Sequence, residues 1–408
     1  MWLWIAQAAL ATTLTVPAGT TVSGEPTAVR PPLCAPQVAT DELACRTTGG
    51  WVRLVHDSGH EELWLHPDWD VRLLEDGRAE GSGADGIRAQ REVRRWVASQ
   101  QPDSIASARK LARQLRGRVD ALQTTPELKA RIVDHGLASL ATAVVYNIDS
   151  KVLFEDEDFY RELAAALQFR AEILEVPSFW TFGWYYGRMS GGVTAFGVEE
   201  AMRRVIAHTD AIGRHPSLGG VMAWAIESAT TAEELQALDR ALAMWKAEGV
   251  PPAVLGSYIA QARRKQATGP GQPAPELTAR GVDGADHSLT ELEGPVVVDF
   301  WGSWCGPCIA SIPKLKVLQA EWDGRITFLA LASENGGTAA RWRATINKHD
   351  WNDGFVHWMH SDAAINTRWS VVKWPSYVVL DGEHKIVSYA YSADELGPLI
   401  AKAVGDAE

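Results

Sequence analysis

The chain has 408 residues, 46% of them hydrophobic, and a formal net charge of -12 at pH 7. Its length exceeds what one ordinary core organises, so two or three domains are expected, and its apolar share fits a globular chain rather than a disordered or fibrous one. The acidic balance excludes nucleic acid as the main partner, because phosphate backbones require a basic surface.

No charged side chain precedes Glu25, and Trp2-Leu3-Trp4-Ile5-Ala6-Gln7-Ala8-Ala9-Leu10 has the length and composition of a signal peptide's apolar region. Val16-Pro17-Ala18 supplies small residues for cleavage, although a basic start is lacking. An anchor is the alternative; the threonines after residue 11 leave the run short of the ~20 residues that span a bilayer. Residues 1–21 are therefore expected to be a signal peptide or anchor, which places the protein in the periplasm or another extracytoplasmic space. Cys34 and Cys45 fit an oxidising compartment, where they would pair and close a small loop worth ~3 kcal/mol. Two free, buried cysteines are the other reading.

Residues 22–50 are rich in Pro, Thr and Gly and read as loop. Trp51–His56 and Glu61–His66 alternate in polarity around Asp57-Ser58-Gly59, a hairpin signal, so 22–86 forms a small β-containing segment. A metal on His56, His60 and His66 would need all three on one face and a fourth ligand; nothing in the sequence forces this, and no metal is assigned. Glu80–Gly86 reads as a flexible break.

From residue 87 to 267 the pattern predicts an α-helical domain. Asp103 and Ser104 can cap a helix from Ile105, Pro126 suits a first turn, and Thr230 or Thr231 can cap the stretch to Trp245. Helices of ~12–20 residues joined by short loops describe a bundle. The arginines from Arg88 to Arg118 read as a solvated face laced with ion pairs, with a docking patch for an acidic partner as the alternative. Phe179–Gly187, aromatics interleaved with glycine, is either a buried helix or the lining of an apolar groove. Asp156-Glu157-Asp158 belongs in the first turn of a helix, where the dipole favours carboxylates. Residues 268–275 read as an interdomain linker and 276–408 as a further domain.

The most informative residues are Trp304-Cys305-Gly306-Pro307-Cys308. The apolar run Pro295–Trp301 precedes them and reads as a buried strand; helical spacing at Ile309, Ile312, Leu315 and Leu318 follows. A strand-to-helix turn places Cys305 at a helix N-terminus, where free N–H groups and the macrodipole favour thiolate. Cys305 is thus the attacking sulfur and Cys308 the one that resolves a mixed disulfide. A structural zinc site would need a second ligand pair, and the sequence has no second CxxC.

Residues 273–408 resemble a thioredoxin-fold domain of the TlpA/ResA-like group of extracytoplasmic thiol-disulfide oxidoreductases. The resemblance rests on Val298-Asp299-Phe300-Trp301 leading into the CGPC sequence, on Pro313 five residues past Cys308, and on Lys373-Trp374-Pro375-Ser376-Tyr377-Val378-Val379-Leu380. Pro273–Leu277 through Leu292 adds the group's N-terminal extension. The chain is thus expected to be multidomain, an α-helical bundle followed by an α/β thioredoxin-fold domain, with a small N-terminal β-containing segment.

The resemblance implies a redox-active disulfide Cys305–Cys308, a buried acid Asp299 that handles the proton of Cys308, and a cis-proline at Pro375. The groove for substrate would be formed by Trp304, Gly306, Pro307 and Trp374. No cofactor is required, since the electrons reside in the sulfur pair. Partners would be client proteins bearing cysteine thiols or disulfides, and a membrane electron donor if the protein reduces, the direction that Gly306-Pro307 favours. Trp374 departs from the small or β-branched residue usual in this family, and Trp342, Trp351, Trp358 and Trp369 form an unusual run that reads as packing. A peroxidase would need a Pro-x-x-x-Thr/Ser-x-x-Cys pattern, absent around Cys305. A binding or scaffold protein, with a recognising helical domain and the disulfide as a switch, is the alternative function.

Overall fold

The structure, a computed structural model, describes residues 50–405 apart from 57–58, 67, 75, 77 and 335–338, and before residue 50 only the strand backbones at 12–16, 21–23, 37–38 and 43–47. The Cys34–Cys45 pair and the side chains of His56 and His60 lie outside the described residues. The chain divides into two compact units, Met1–Ala223 with Met244–Leu255, and Trp224–Ala243 with Gly256–Glu408.

The first unit joins the β-containing segment to a set of helices. The expected hairpin forms, Gly50–His56 pairing antiparallel with Gly59–Leu65. Both of its faces are covered. Val52, Leu54, Leu63 and Leu65 pack with Val71 and Leu73, whereas Trp51 and Trp64, opposite each other in register, join the helical core. Thr12–Val16, inside the segment read as a leader, pairs with Leu43–Thr47 and Asp70–Leu73.

The first helix, Ala84–Ala98, starts before the expected position and runs through the stretch read as a flexible break. The reason is Trp69: a Cβ on Gly86 would lie 2.1 Å from its ring, so glycine there serves packing rather than flexibility. Ser104 caps Ile105–Asp120 through a capping box with Ser107, and Pro126 opens Pro126–Asn147 at its first turn. Several of the clustered arginines do lace the surface, Arg88 with Asp85 and Arg91 with Glu61. Asp156, Glu157 and Asp158 do not lie in a first turn as expected: Asp156 is the C-cap of Ser150–Glu155, and Asp158 is the N-cap of Phe159–Leu167, where it pairs with Arg161.

Phe179, Phe182 and Tyr186 are buried in Pro177–Ser190 and pack against Phe159, Tyr160 and Phe169. The interleaved glycines let backbones meet: a Cβ on Gly187 would lie 1.8 Å from the carbonyl oxygen of Ser217. This is a core helix.

The second unit contains a seven-stranded sheet. Its strand order is Asp286–Ser288, Thr278–Gly281, Phe355–His360, Thr327–Ser333, Val296–Trp301, Ser376–Leu380, Ile386–Ala390. The three strands Phe355–His360, Thr327–Ser333 and Val296–Trp301 run parallel; the others pair antiparallel. Val296–Trp301 is buried at every position because helices cover both sheet faces in such folds, which explains its unbroken apolar run. Trp301, Trp342, Trp351, Trp358 and Trp369 all lie in the core, in keeping with their reading as packing.

The segment read as a linker adds to this sheet. Gly271 donates its N–H to Ile386 O at 2.7 Å, Ile386 donates to Gln272 O at 2.8 Å, and Ala274 donates to His384 O at 2.9 Å. Residues 271–274 thus lie along the outer strand. The strand order, with parallel centre and antiparallel flank, and a helix following the central strand are those of the thioredoxin fold with an N-terminal extension.

Candidate active site

The central strand ends at Trp301, and Gly302-Ser303-Trp304 turns the chain into the helix Gly306–Glu321 with Cys305 as its N-cap. Cys305 and Cys308 form a disulfide with Cα atoms 5.3 Å apart. The N–H of Cys308 donates to Cys305 Sγ at 3.2 Å, so the sulfur receives an orphan donor of the first helical turn. Both cysteines are nearly buried, while Gly306 and Pro307 are exposed beside them. Pro313 sits within the same helix, where it removes one backbone donor.

Trp304 is 46% exposed, the largest apolar side chain at this surface. Its indole N–H donates to Ser333 O at 2.9 Å, which fixes the ring over the end of the neighbouring strand. Trp374 meets it edge to face, ring centroids 5.4 Å apart. The Trp374–Pro375 peptide is cis, as expected. Trp374 is half-buried, and its indole N–H has no hydrogen-bond partner among the described residues. The structure therefore brings Trp304, Cys305, Cys308 and Trp374 together.

Asp299 lies two residues before the end of Val296–Trp301, buried and opposite Tyr377 in register. Burial holds its carboxyl well above the usual carboxylate range, and Oδ1 has no hydrogen-bond partner among the described residues. A carboxyl whose proton affinity is raised in this way takes a proton when ionised and gives one when protonated, the property the resemblance asks of it.

Four residues were missed by sequence reasoning. Tyr377 donates its O–H to Ser311 Oγ at 2.9 Å, and Ser311 in turn donates to Cys308 O at 2.7 Å. Glu334, buried at the end of Thr327–Ser333, accepts from Ser303 N at 2.7 Å and Ser303 Oγ at 2.9 Å, which pins the turn before Cys305. Position alone held the signal: Ser311 lies one helical turn past Cys308, and Glu334 follows a parallel strand at its C-terminal end, where such sheets place their sites.

Behind them, His360 Nε2 lies 2.8 Å from Ser333 Oγ, whose hydroxyl donates to Asn366 Oδ1 at 3.0 Å. Burial pushes the His360 pKa down, favouring the neutral ring. Among the described residues no three His, Cys, Asp or Glu side chains converge to hold a metal.

Comparison with known proteins agrees with this geometry. Residues 270–389 match the AhpC/TSA family model. Over 62 residues the chain is 40% identical to thioredoxin from Staphylococcus aureus; the match takes in 15% of this chain and spans 60% of the thioredoxin's length. Similar solved structures include the thioredoxin domain of a thiol-disulfide oxidoreductase from Bacteroides vulgatus, at 24% identity over 33% of this chain and 97% of that one, TM-score 0.30. A thiol:disulfide interchange protein from Bacteroides sp. is 24% identical over 34% of this chain and 92% of its own, TM-score 0.31. A secreted Mycobacterium tuberculosis disulfide oxidoreductase homologous to E. coli DsbE is 25% identical over 31% of this chain and 95% of its own, TM-score 0.28.

The C-terminal third thus has the thioredoxin fold, and its sequence is similar to the AhpC/TSA family and, over 62 residues, to thioredoxin. The peroxidatic pattern is missing: the positions seven and three before Cys305 are Val298 and Gly302.

Proposed function

We propose that this protein is an exported thiol-disulfide oxidoreductase of TlpA/ResA-like type that works as a reductase of protein disulfides. The observation that carries the reading is the Cys305–Cys308 disulfide at the start of Gly306–Glu321, with Cys305 as N-cap and Trp304 exposed beside it. In the reduced protein the Cys305 thiolate attacks one sulfur of a client disulfide. A mixed disulfide forms, and the client's second sulfur leaves as a thiolate and takes a proton from water. Cys308 then gives its proton to the Asp299 carboxylate, or to water, and attacks Cys305 Sγ; the ring closes and the client's first sulfur leaves as a thiolate, which takes a proton from Asp299 or water. Two electrons pass from the cysteine pair to the client, and a membrane-bound dithiol donor restores them. Trp374 and Pro375 form the edge on which the client strand lies, with Gly306 and Pro307 across the groove.

Insulin reduction by the full chain with a dithiol donor tests this. Turnover that vanishes in Cys305→Ser, with a trapped mixed disulfide in Cys308→Ser, is the expected result; equal turnover in wild type and Cys305→Ser removes the reading. Export rests on the leader-like residues 2–10, and the N-terminal mass of the protein recovered from the periplasm decides between cleavage and anchoring.

A further inference from the structure

The loop Ser370–Pro375 carries the residues just before the groove edge, and it is held by Tyr391, just past the last strand, and by helical residues that precede the sheet. Lys373 Nζ lies 3.6 Å from the ring centroid of Tyr391 and 5.3 Å from that of Trp224. Tyr391 is itself held: its hydroxyl accepts from Lys265 Nζ at 3.0 Å and donates to the backbone oxygen of Glu227. Lys265 is buried, with Nζ 3.8 Å from the ring centroid of Tyr389. At the loop's start Thr268 Oγ1 meets Ser370 Oγ at 3.0 Å, and at its end Ser376 Oγ donates to Lys373 O at 2.7 Å. Trp224 and Glu227 belong to Arg214–Ser228, and Lys265 to Pro252–Ala267, helices that thiol exchange does not itself require.

A cation is drawn to an aromatic face by the ring quadrupole, and more so where water is partly excluded. Two ammonium groups approach the one Tyr391 ring, so their charges compete. Burial, reinforced by Lys373, brings the Lys265 pKa down to about 7. The neighbouring carboxylates of Glu227 and Glu234 act in the opposite sense on Lys265.

We propose that Lys373 is a positioning residue: gripped between Trp224 and Tyr391, it holds the Trp374–Pro375 edge in place for a client strand. The helical residues 224–267 thereby set how tightly a protein client is held. Lys373 touches no reacting sulfur, so it acts on recognition and not on exchange with small thiols. The inference rests on the thiol-exchange reading given above.

The test uses the full chain with Lys373→Met, which removes the charge and keeps the apolar stem, and Lys373→Arg, which keeps the charge. KM and kcat for insulin, the rate with dithiothreitol, and hydrogen exchange of the amides at 371–374 and 376 are measured on each. Lys373→Met is expected to raise KM for insulin about three- to tenfold with kcat and the dithiothreitol rate unchanged, and to speed exchange of those amides. Lys373→Arg restores both, and Trp224→Leu, on the other side of the ammonium, reproduces the Met variant. Unchanged KM and amide exchange in Lys373→Met overturn the inference. So does an equal loss with dithiothreitol, or a loss that arginine fails to restore. A wild-type chain that leaves insulin intact overturns the exchange reading instead, and amide exchange in the variants still decides whether Lys373 holds the loop.

Discussion

Asp299 is a carboxyl enclosed by the sheet with one oxygen lacking a hydrogen-bond partner among the described residues, an arrangement that costs stability unless the proton stays on. Its native pKa is raised above the unfolded value of about 3.8, so between the two the folded chain binds a proton that the unfolded chain has released. Stability is therefore lost as pH rises through that window. Asp299→Asn should be more stable than the wild type at pH 7 and lose the advantage near pH 3, as measured by denaturant midpoints. The same variant should close the Cys305–Cys308 ring at least ~10-fold more slowly at neutral pH, since the Cys308 proton has lost its acceptor. An unchanged rate removes Asp299 from the mechanism. Asp299, Cys305 and Cys308 were legible because each sits in a short contiguous pattern. Glu334 was not: its partner Ser303 is 31 residues away, and only the parallel pairing of Val296–Trp301 with Thr327–Ser333 brings the two together.

At the scale of elements, local chemistry carried most of the reading. The cap at Ser104, the proline opening Pro126–Asn147 and the hairpin from Gly50 all follow from neighbours within a few residues. Gly86 misled because glycine signals freedom in the sequence, whereas here it admits a tryptophan ring; Gly187, within a stretch read as a buried helix or a groove lining, admits a backbone carbonyl from a distant segment. Helix Pro252–Ala267 holds a further surprise, since a lysine in its last turn normally reaches water to complement the dipole. Lys265 is instead buried, with a native pKa of about 7 against 10.5 unfolded. Between these values the unfolded chain binds the extra proton, so stability rises with pH from about 7 to 10.5; below about 7 the whole cost of burying the charge is present. Lys265→Met should stabilise the protein, more at pH 6 than at pH 9. The lost hydrogen bond to Tyr391, worth ~1 kcal/mol, offsets only part of that gain. Midpoints in guanidinium at the two pH values check this; a variant less stable than wild type at pH 6 contradicts it.

For the molecule as a whole, sequence patterning separated helices from sheet at residue 267, whereas contacts group residues 224–243 and 256–267 with the thioredoxin fold. Periodicity reports what an element is, not which core it completes. A fragment beginning at 273 keeps both cysteines and Asp299 but loses Trp224, Glu227, Lys265 and Thr268, leaving Tyr389 and Tyr391 uncovered on one side. Residues 224–408 should therefore melt at a higher temperature than 273–408 and show a lower KM for insulin. Identical melting and kinetics would mean that the helical residues add nothing to the domain.

The strand-like course of residues 271–274 along residues 384–386 has a further consequence. A sheet runs the hazard of being extended by other chains, since any open border offers unpaired N–H and C=O groups to a stray strand. Here the start of one border, residues 384–386, is occupied by the Gly271–Ala274 segment, whose Pro273 has no N–H to offer. The other is Asp286–Ser288, three residues long, with Asp286 tied to Arg280 and His287 held between Asp283 and Glu291. Both borders are thus partly blunted as templates for stacking, the first by a segment that contains proline and the second by its shortness and its charged side chains.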